Sequence, residues 1–192
     1  MTPDGGFSPR SLLHTLLVDG GRGDAFDRHV FACAVAAAAN EAPRPLCEGL
    51  GLAPDVVRAL FDAYFPSAAW AMLVPCLGES AGEEAIEEPD MRTLLVSHRS
   101  SEGEAAIWLA AIVARRSLRP NHLWQDLGLR NRSELGQLLR THFAPLAARN
   151  DRDMKWKKFF YRELCQQDGV LVCKSPVCDV CSDFQHCFGG EE

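Results

Sequence analysis

The helical character of the chain is clearest in residues 104–118, which read Glu-Ala-Ala-Ile-Trp-Leu-Ala-Ala-Ile-Val-Ala-Arg-Arg-Ser-Leu. An acidic residue begins this stretch and two arginines lie near its end, which is the charge order that a helix dipole favours. Pro120 follows and cannot continue the helix. Four apolar residues recur at helical spacing on one side: Ile107, Trp108, Ala111 and Ile112. The stretch therefore predicts a helix with one face in a hydrophobic core.

Helical periodicity also extends along most of the remaining chain, without a convincing period-two strand pattern or an internal repeat. Asp24 is placed to cap a helix that ends at Asn40, and Pro54 is placed in the first turn of the next long helix, which ends near Phe65. Further helices are expected at 11–18, 68–77, 123–129, 134–142 with Ser133 as cap, and 153–167. Residues 78–90 read as an acidic loop, and 91–97 fit either a helix or a strand. We therefore predict an all-α fold.

The composition is that of an ordinary globular protein. Of 192 residues, 47% are apolar and 24% are charged, so the chain is long and apolar enough to bury a core. The longest apolar runs, 30–39 and 105–114, are about half of what a bilayer crossing needs, and the first ten residues lack the pattern of a signal peptide. A net charge of -6 argues against nucleic acid as the main partner. We expect a cytoplasmic protein without a membrane span.

The eight cysteines are unevenly distributed. Structural disulfides are not expected, because the cytoplasm keeps thiols reduced. Three cysteines are scattered through apolar stretches, where core packing is the favoured role: Cys33, Cys47 and Cys76. The other five fall in residues 165–192, which indicates a segment that uses sulfur.

The C-terminal cysteines form the pattern C-x4-C-x2-C-x5-C, made by Cys173, Cys178, Cys181 and Cys187. Zinc sites usually pair two C-x2-C knuckles across a longer spacer, and only one such knuckle is present here. Short unequal spacers in an irregular loop suit a metal–sulfur cluster with one thiolate per metal atom. An iron–sulfur or mixed-metal cluster is favoured, and zinc or metal-free thiols remain alternatives. We predict a compact helical body in residues 1–168 and an irregular cysteine-rich cluster-binding tail in 169–192.

Additional metal ligands are also considered. Cys165 could be a spare ligand, although a single helical cysteine is more often a small buried hydrophobe. His186 adjoins the last motif cysteine and is either a ligand, a hydrogen-bond donor to the cluster, or an exposed loop histidine. His98 lies in a polar stretch, and its sequence context gives little support for a ligand role.

Basic residues accumulate just before the cysteine tail. Residues 149–163 contain six Lys or Arg and three acidic residues, so an anion approaching the tail would meet positive charge.

A rival interpretation comes from 124–139, which resembles the turn of a helix-turn-helix with Gly128 between two short helices. The acidic chain lacks a strong basic recognition face, so a DNA-binding, metal-responsive regulator is the less favoured alternative.

Three blocks of sequence together resemble the NifQ family of nitrogen-fixation proteins. They are HLWQDLGL at 122–129, NDRDMKWKKFFYRELC at 150–165, and the four-cysteine tail. The resemblance covers roughly the C-terminal half of the chain and includes every motif cysteine with the family spacing. It implies an iron–sulfur protein that acquires molybdenum and donates it to the proteins that assemble the iron–molybdenum cofactor of nitrogenase.

The resemblance also implies how the basic residues are used. Molybdate is a dianion, and Lys155, Lys158, Arg162 and Lys174 would raise its concentration near the sulfur site, with Lys157 contributing unequally because it points elsewhere on the helix. The alternative is that these side chains form only a solvated helix face. No nucleophile–base pair, phosphate loop or nucleotide fingerprint is present, so we do not expect an enzyme. A small redox iron–sulfur protein is the main alternative function.

Overall fold

The structure is a computed structural model that describes residues 9–18 and 21–167, and all regular structure in these residues is helical. The prediction of an all-α body is confirmed. The described part contains the following helices: α1 Pro9–Val18, α2 Ala25–Ala39, α3 Leu46–Leu50, α4 Pro54–Tyr64, α5 Ser67–Leu73, a 3-10 turn at Val74–Cys76, α6 Glu88–Ser97, α7 Glu104–Ser117, α8 Leu123–Asp126, α9 Arg132–His142, α10 Ala144–Ala147 and α11 Trp156–Gln167. The predicted tail, with its domain boundary and four motif cysteines, lies outside the described residues.

Helix α7 is the centre of the core. It packs against α3, α4, α6 and α8, and its residues from Trp108 to Ser117 are all buried. The buried surface of α7 is therefore wider than the single apolar face that the sequence predicts, because neighbouring helices surround it on nearly every side. Ile107 is an exception to the prediction, since 45% of it is exposed. Arg115 and Arg116 lie at the C-terminal end of the helix, where its dipole favours cations, and both are buried.

Helix α2 begins as predicted. The Oδ1 atom of Asp24 accepts hydrogen bonds from the backbone N–H groups of Phe26 at 2.8 Å and Asp27 at 3.0 Å. The alanine-rich second half of α2 permits a close approach of the turn after α8. A Cβ atom on Gly128 would lie 2.7 Å from the carbonyl oxygen of Cys33, and the φ of Gly128 is +70°. A glycine at 128 is thus required both by the available space and by the backbone conformation.

The N-terminal cap predicted for α9 was wrong. The helix begins at Arg132, and its cap is Asn131, whose side chain accepts a hydrogen bond from the backbone N–H of Glu134 at 3.0 Å. Both Asn131 and Ser133 are favoured cap residues, so local preference does not separate them. The backbone of Asn131 is extended, as a cap requires, whereas Ser133 already lies inside the first turn.

Two other boundaries differ from the predictions. Helix α6 begins at Glu88, inside the segment that reads as an acidic loop, with Pro89 in its first turn. Residues 91–97 are therefore helical. Helix α11 begins at Trp156 and not at Asp153, which has a φ of +52°.

The rival helix-turn-helix interpretation is weakened, because α8 has only four residues.

Within the described residues, none of the helices has both the length and the apolar character that a bilayer crossing requires.

Candidate functional site

Helix α11 leads directly to the cysteine-rich segment, so its anchoring is the part of the site that the structure describes. One face of α11 is buried against the body and carries Trp156, Phe159, Phe160 and Leu164. The ring centroids of Trp156 and Phe159 are 5.8 Å apart in an edge-on arrangement, and those of Trp156 and Phe160 are 6.0 Å apart. This aromatic face packs α11 firmly onto the core, partly against α6.

Polar contacts fix the turn that precedes α11. The Asn150 side chain accepts a hydrogen bond from the backbone N–H of Met154 at 2.8 Å and donates one to its carbonyl oxygen at 2.9 Å. Arg132 on α9 donates to the carbonyl oxygens of Asp153 and Met154 at 2.9 and 3.1 Å. Several residues of the block at 150–165 therefore position the helix.

Lys157 joins α11 to the end of α7 and to α8. Its Nζ donates to the carbonyl oxygens of Arg119 at 2.5 Å and Asn121 at 2.7 Å, and it forms an ion pair with Asp126 at 2.5 Å. Burial lowers the pKa of the Lys157 ammonium, and the hydrogen bond and charge of Asp126 oppose that shift. Lys157 thus links the two sequence blocks at 122–129 and 150–165. It is already occupied by these partners and does not belong with the lysines expected to attract an anion.

The remaining basic residues at α11 form a surface that we call the basic stripe: Lys155, which directly precedes the helix, Lys158 and Arg162. Lys158 and Arg162 are four residues apart and share one face of the helix. Lys155 lies just before the first turn, where its carbonyl oxygen accepts a hydrogen bond from the backbone N–H of Phe159 at 2.9 Å, and it precedes Lys158 by three residues. Lys155 is half-buried, whereas Lys158 and Arg162 are exposed. Lys174, which was expected to act with them, lies outside the described residues.

Two of the predicted additional ligands are described by the structure. Cys165 is half-buried in the last turn of α11. His98 follows α6, with Nδ1 at 2.8 Å from the carbonyl oxygen of Leu94 and Nε2 at 3.5 Å from Nη1 of Arg149. No group of three or more His, Cys, Asp or Glu suited to a metal ion is found in the described part of the chain. The ligand roles of Cys165 and His98 stay predictions, as does that of His186, which lies outside it.

The cysteines upstream of the tail divide into two kinds. Cys33 and Cys47 are buried in the core as expected, and burial is the main cause that raises the pKa of each thiol to about 11. Cys76 is exposed, so its predicted core position was wrong. The apolar run that contains it ends in a 3-10 turn at the surface, where its Sγ donates to the carbonyl oxygen of Leu73 at 3.1 Å.

Buried charges near the end of α7 are the feature that sequence reasoning missed. Arg115 and Glu88 form a buried ion pair at 2.9 Å, and Arg116 pairs with Glu41 at 2.7 Å. Their partners lie 27 and 75 residues away along the chain, so no local spacing reveals them. The one available signal was two adjacent arginines at the end of an otherwise apolar helix.

Together, the fold and the motif define a protein whose described residues form a helical body and whose last described helix is followed in the sequence by a four-cysteine segment. The sequence model of the NifQ family matches residues 30–189, a range that includes the three blocks and all four motif cysteines. This chain belongs to the NifQ family.

Individual relatives give the same result. The chain is 39% identical to a Protein NifQ homolog of Sinorhizobium fredii, over 87% of this chain and 74% of that protein. It is 47% identical to Protein NifQ of Azotobacter vinelandii, over 55% of this chain and 54% of that protein. It is 40% identical to Protein NifQ of Rhodobacter capsulatus, over 75% of this chain and 78% of that protein. No solved structure matches the chain.

Proposed function

We propose that this chain is an iron–sulfur carrier of molybdenum, which donates the metal for assembly of the iron–molybdenum cofactor of nitrogenase. The observation that carries the proposal is the C-x4-C-x2-C-x5-C motif, which lies inside the family match and follows α11. The cluster ligands are Cys173, Cys178, Cys181 and Cys187. The carrier is cytoplasmic, acts without turnover catalysis, and has molybdate and the cofactor-assembly proteins as partners.

The donor set fits an iron–sulfur cluster or a molybdenum–iron–sulfur cluster. Four thiolates are soft ligands that suit iron–sulfur centres, and the short spacers allow one thiolate for each metal atom of a compact cluster. A bound cluster would supply sulfide and metal sites at which molybdenum can be held. The protein supplies the thiolates, and α11 attaches them to a rigid body through its aromatic face and Lys157.

The basic stripe serves the uptake of molybdate in this proposal. Molybdate is a dianion, and Lys158 and Arg162 lie on one face of the helix that leads to the cysteines, with Lys155 directly before its first turn. Exposed cations raise the local concentration of an anion without binding it tightly, and their effect falls as salt screens the charges. Lys174 extends this positive charge into the motif itself.

Metal analysis of the full chain tests the proposal. Protein purified without oxygen from cells grown with molybdate should be brown and should contain iron, acid-labile sulfide and molybdenum. Each single Cys→Ala change at the four motif positions should abolish molybdenum donation and leave the helical circular dichroism unchanged. Cys33→Ala and Cys76→Ala are matched controls from the helical body. A colourless protein with stoichiometric zinc, or equal metal loss in the two controls, would exclude the proposed cluster.

A small redox iron–sulfur protein is the second candidate function, because the same four thiolates could hold a cluster that only transfers electrons. Molybdenum content separates the two functions. The redox candidate predicts iron and sulfide without molybdenum, in protein from the same molybdate-grown cells.

A further inference from the structure

Two cysteines of the helical body belong to segments that lie against each other. Cys47 is in the first turn of α3, and Cys76 ends the 3-10 turn that follows α5. The backbone N–H of Cys47 donates to the carbonyl oxygen of Leu77 at 2.9 Å. A Cβ atom on Gly78 would lie 2.5 Å from the Cβ atom of Pro45, so the two segments touch at a second point as well.

The order of these contacts sets the register of the two cysteines. Pro45 faces Gly78, and the next contact along α3 joins Cys47 to Leu77, so the segments run in opposite directions. Cys47 is two residues after Pro45, and Cys76 is two residues before Gly78, which brings the two cysteines level with each other. Directly opposed residues of touching backbones have Cα atoms about 5 Å apart. Disulfides form at Cα separations of about 4.4–6.8 Å.

The two thiol groups also influence each other. Burial is the main cause that raises the pKa of Cys47 to about 11, the negative charge of an ionised Cys76 is the second, and the charge of Asp55 contributes less. Burial likewise raises the pKa of Cys76 above its usual value of 9.0. Because a single charge shifts the pKa of another group only at short range, the contact between the backbones extends to the two thiols.

The two residues differ in their access to solvent. Cys47 is fully buried, whereas Cys76 is exposed, and its Sγ donates to the carbonyl oxygen of Leu73 at 3.1 Å. A change of the Cys76 rotamer would release this hydrogen bond and free Sγ for a bond to Cys47. A dissolved oxidant can therefore meet Cys76 first, and Cys47 needs to reach only the sulfur of Cys76.

We propose that Cys47 and Cys76 form a reversible disulfide, in which Cys76 is the reactive thiol and Cys47 the resolving thiol. The oxidant is a small-molecule disulfide of the glutathione type. The Cys76 thiolate attacks one of its sulfur atoms, which forms a mixed disulfide and releases one glutathione thiolate. The Cys47 thiol then loses its proton and attacks the Cys76 sulfur, which releases the second glutathione. Two protein thiols are thereby oxidised, and one glutathione disulfide is reduced to two thiols.

The disulfide would lock a surface segment onto the core. Cys47 and Cys76 are 29 positions apart, and the loop between them contains α4 and α5. Helix α3 is itself fixed to α7, because the carbonyl oxygen of Glu48 accepts a hydrogen bond from Nη1 of Arg115 at 2.6 Å. A cross-link across such a loop stabilises the fold mainly by restricting the unfolded chain. This pair is separate from the cysteine motif and goes beyond the proposed molybdenum function.

The raised pKa values decide when the pair reacts. At neutral pH both thiols are mostly protonated, and the thiolate is the species that attacks a disulfide. The pair therefore stays reduced in an ordinary thiol buffer and oxidises slowly, faster at higher pH. A transient disulfide of this kind is compatible with the reducing compartment that the sequence predicts.

The test is treatment of the full metal-loaded chain with oxidised glutathione in the absence of oxygen, followed by peptide mapping with mass spectrometry. We expect one peptide pair joined through Cys47 and Cys76, which dithiothreitol separates. Its rate of formation should rise about tenfold per pH unit below pH 9, because the pKa of Cys76 is raised above 9.0. The cross-link should raise the midpoint temperature of unfolding by about 5–10 °C.

Three variants assign the two roles. Cys76→Ser should form no cross-link and no mixed disulfide at this position, whereas Cys47→Ser should stop at the mixed disulfide on Cys76. Cys33→Ser is the matched control, because Cys33 is also a buried cysteine with a pKa of about 11, and it should form the cross-link at the wild-type rate. The proposal is overturned by any of three results: wild type that stops at the mixed disulfide or does not react, a Cys47–Cys76 cross-link that forms only in urea, or a cross-link that does not raise the midpoint temperature.

Discussion

The role that the sequence suggests for Lys157 differs from the role that the structure shows. In the sequence it is one of three lysines in four positions, next to Lys155 and Lys158. In the structure its side chain is 18% exposed and the carboxylate of its partner, Asp126, is 4% exposed. Because Asp126 lies 31 residues earlier, no helical spacing could have predicted the pair.

Replacing Lys157 should therefore destabilise the fold. Lys157→Met leaves the buried carboxylate of Asp126 without its ion-pair partner. We expect the free energy of unfolding to fall by about 2–3 kcal/mol. This loss is smaller than that expected for a fully buried ion pair, because Lys157 is partly exposed. Urea denaturation of the metal-free protein measures it. Lys158→Met is the matched control, with an expected change within about 0.5 kcal/mol. Equal losses in the two variants would contradict the role of Lys157.

The thiols of Cys33 and Cys47 give the stability a pH dependence. Burial raises the pKa of each from 9.0 to about 11, so the folded state holds these protons more tightly than the unfolded state. Their contribution is complete below pH 9 and is lost as the pH rises from about 9 to about 11. Comparing the free energy of unfolding across this range in wild type and Cys33→Ala isolates the Cys33 part. The variant should show a shallower decline, and an identical slope would be inconsistent with a raised pKa.

At the scale of single elements, the capping of α9 offers a clean comparison between two neighbouring polar residues. Asn131→Ala removes the acceptor for the backbone N–H of Glu134 and should cost about 1 kcal/mol. Ser133→Ala removes a side chain that does not cap the helix and should change stability by less than about 0.5 kcal/mol. Thermal or urea unfolding of both variants measures the difference. A larger loss of stability in Ser133→Ala than in Asn131→Ala would indicate that Ser133 caps the helix, as the sequence suggests.

The elements also show where sequence reasoning succeeds. Long helices such as α4 and α7, and the cap at Asp24, follow from periodicity and local preference alone, although the full burial of α7 does not. Helices α3 and α10 have five and four residues, which is too short to display a period. The start of α11 was placed too early because the turn at 150–154 depends on Arg132, which belongs to another helix.

In the candidate site, too, local sequence features support predictions and contacts between distant residues do not. The ligand role of the four motif cysteines stays a prediction, and the sequence alone can make it because their spacing is local and compact and the chemistry of thiolates is independent of the fold. The contacts that hold α11 in place were not predictable, since Lys157, Arg132 and Arg149 each bind residues at least 14 positions away. The exposure of Cys76 also depends on packing, because an apolar run does not reveal which of its residues lies at the surface.

Charge at the scale of the whole molecule bears on how molybdate would reach the cysteines. The chain has a formal net charge of -6, so its average field repels a dianion, and any attraction must come from a local surface. Within residues 149–163 the balance is reversed, with six basic residues against three acidic ones. Because the Lys157 ammonium is paired with Asp126, the charges at α11 that can attract an anion are those of the basic stripe.

Reversing two charges of the basic stripe tests this local attraction. Lys155→Glu combined with Lys158→Glu should slow molybdenum loading by about tenfold at low salt, because the charge changes by four units at the start of the helix that leads to the cysteines. The iron content and the helical circular dichroism should remain at wild-type values. Added salt should slow loading of the wild type, since it screens attraction, and should speed loading of the variant, since it screens repulsion. A variant that loads at the wild-type rate at low salt would show that molybdate reaches the cysteines without help from the stripe. The opposite salt dependence of the two proteins is the more specific signature, because a folding defect would slow loading at every salt concentration alike.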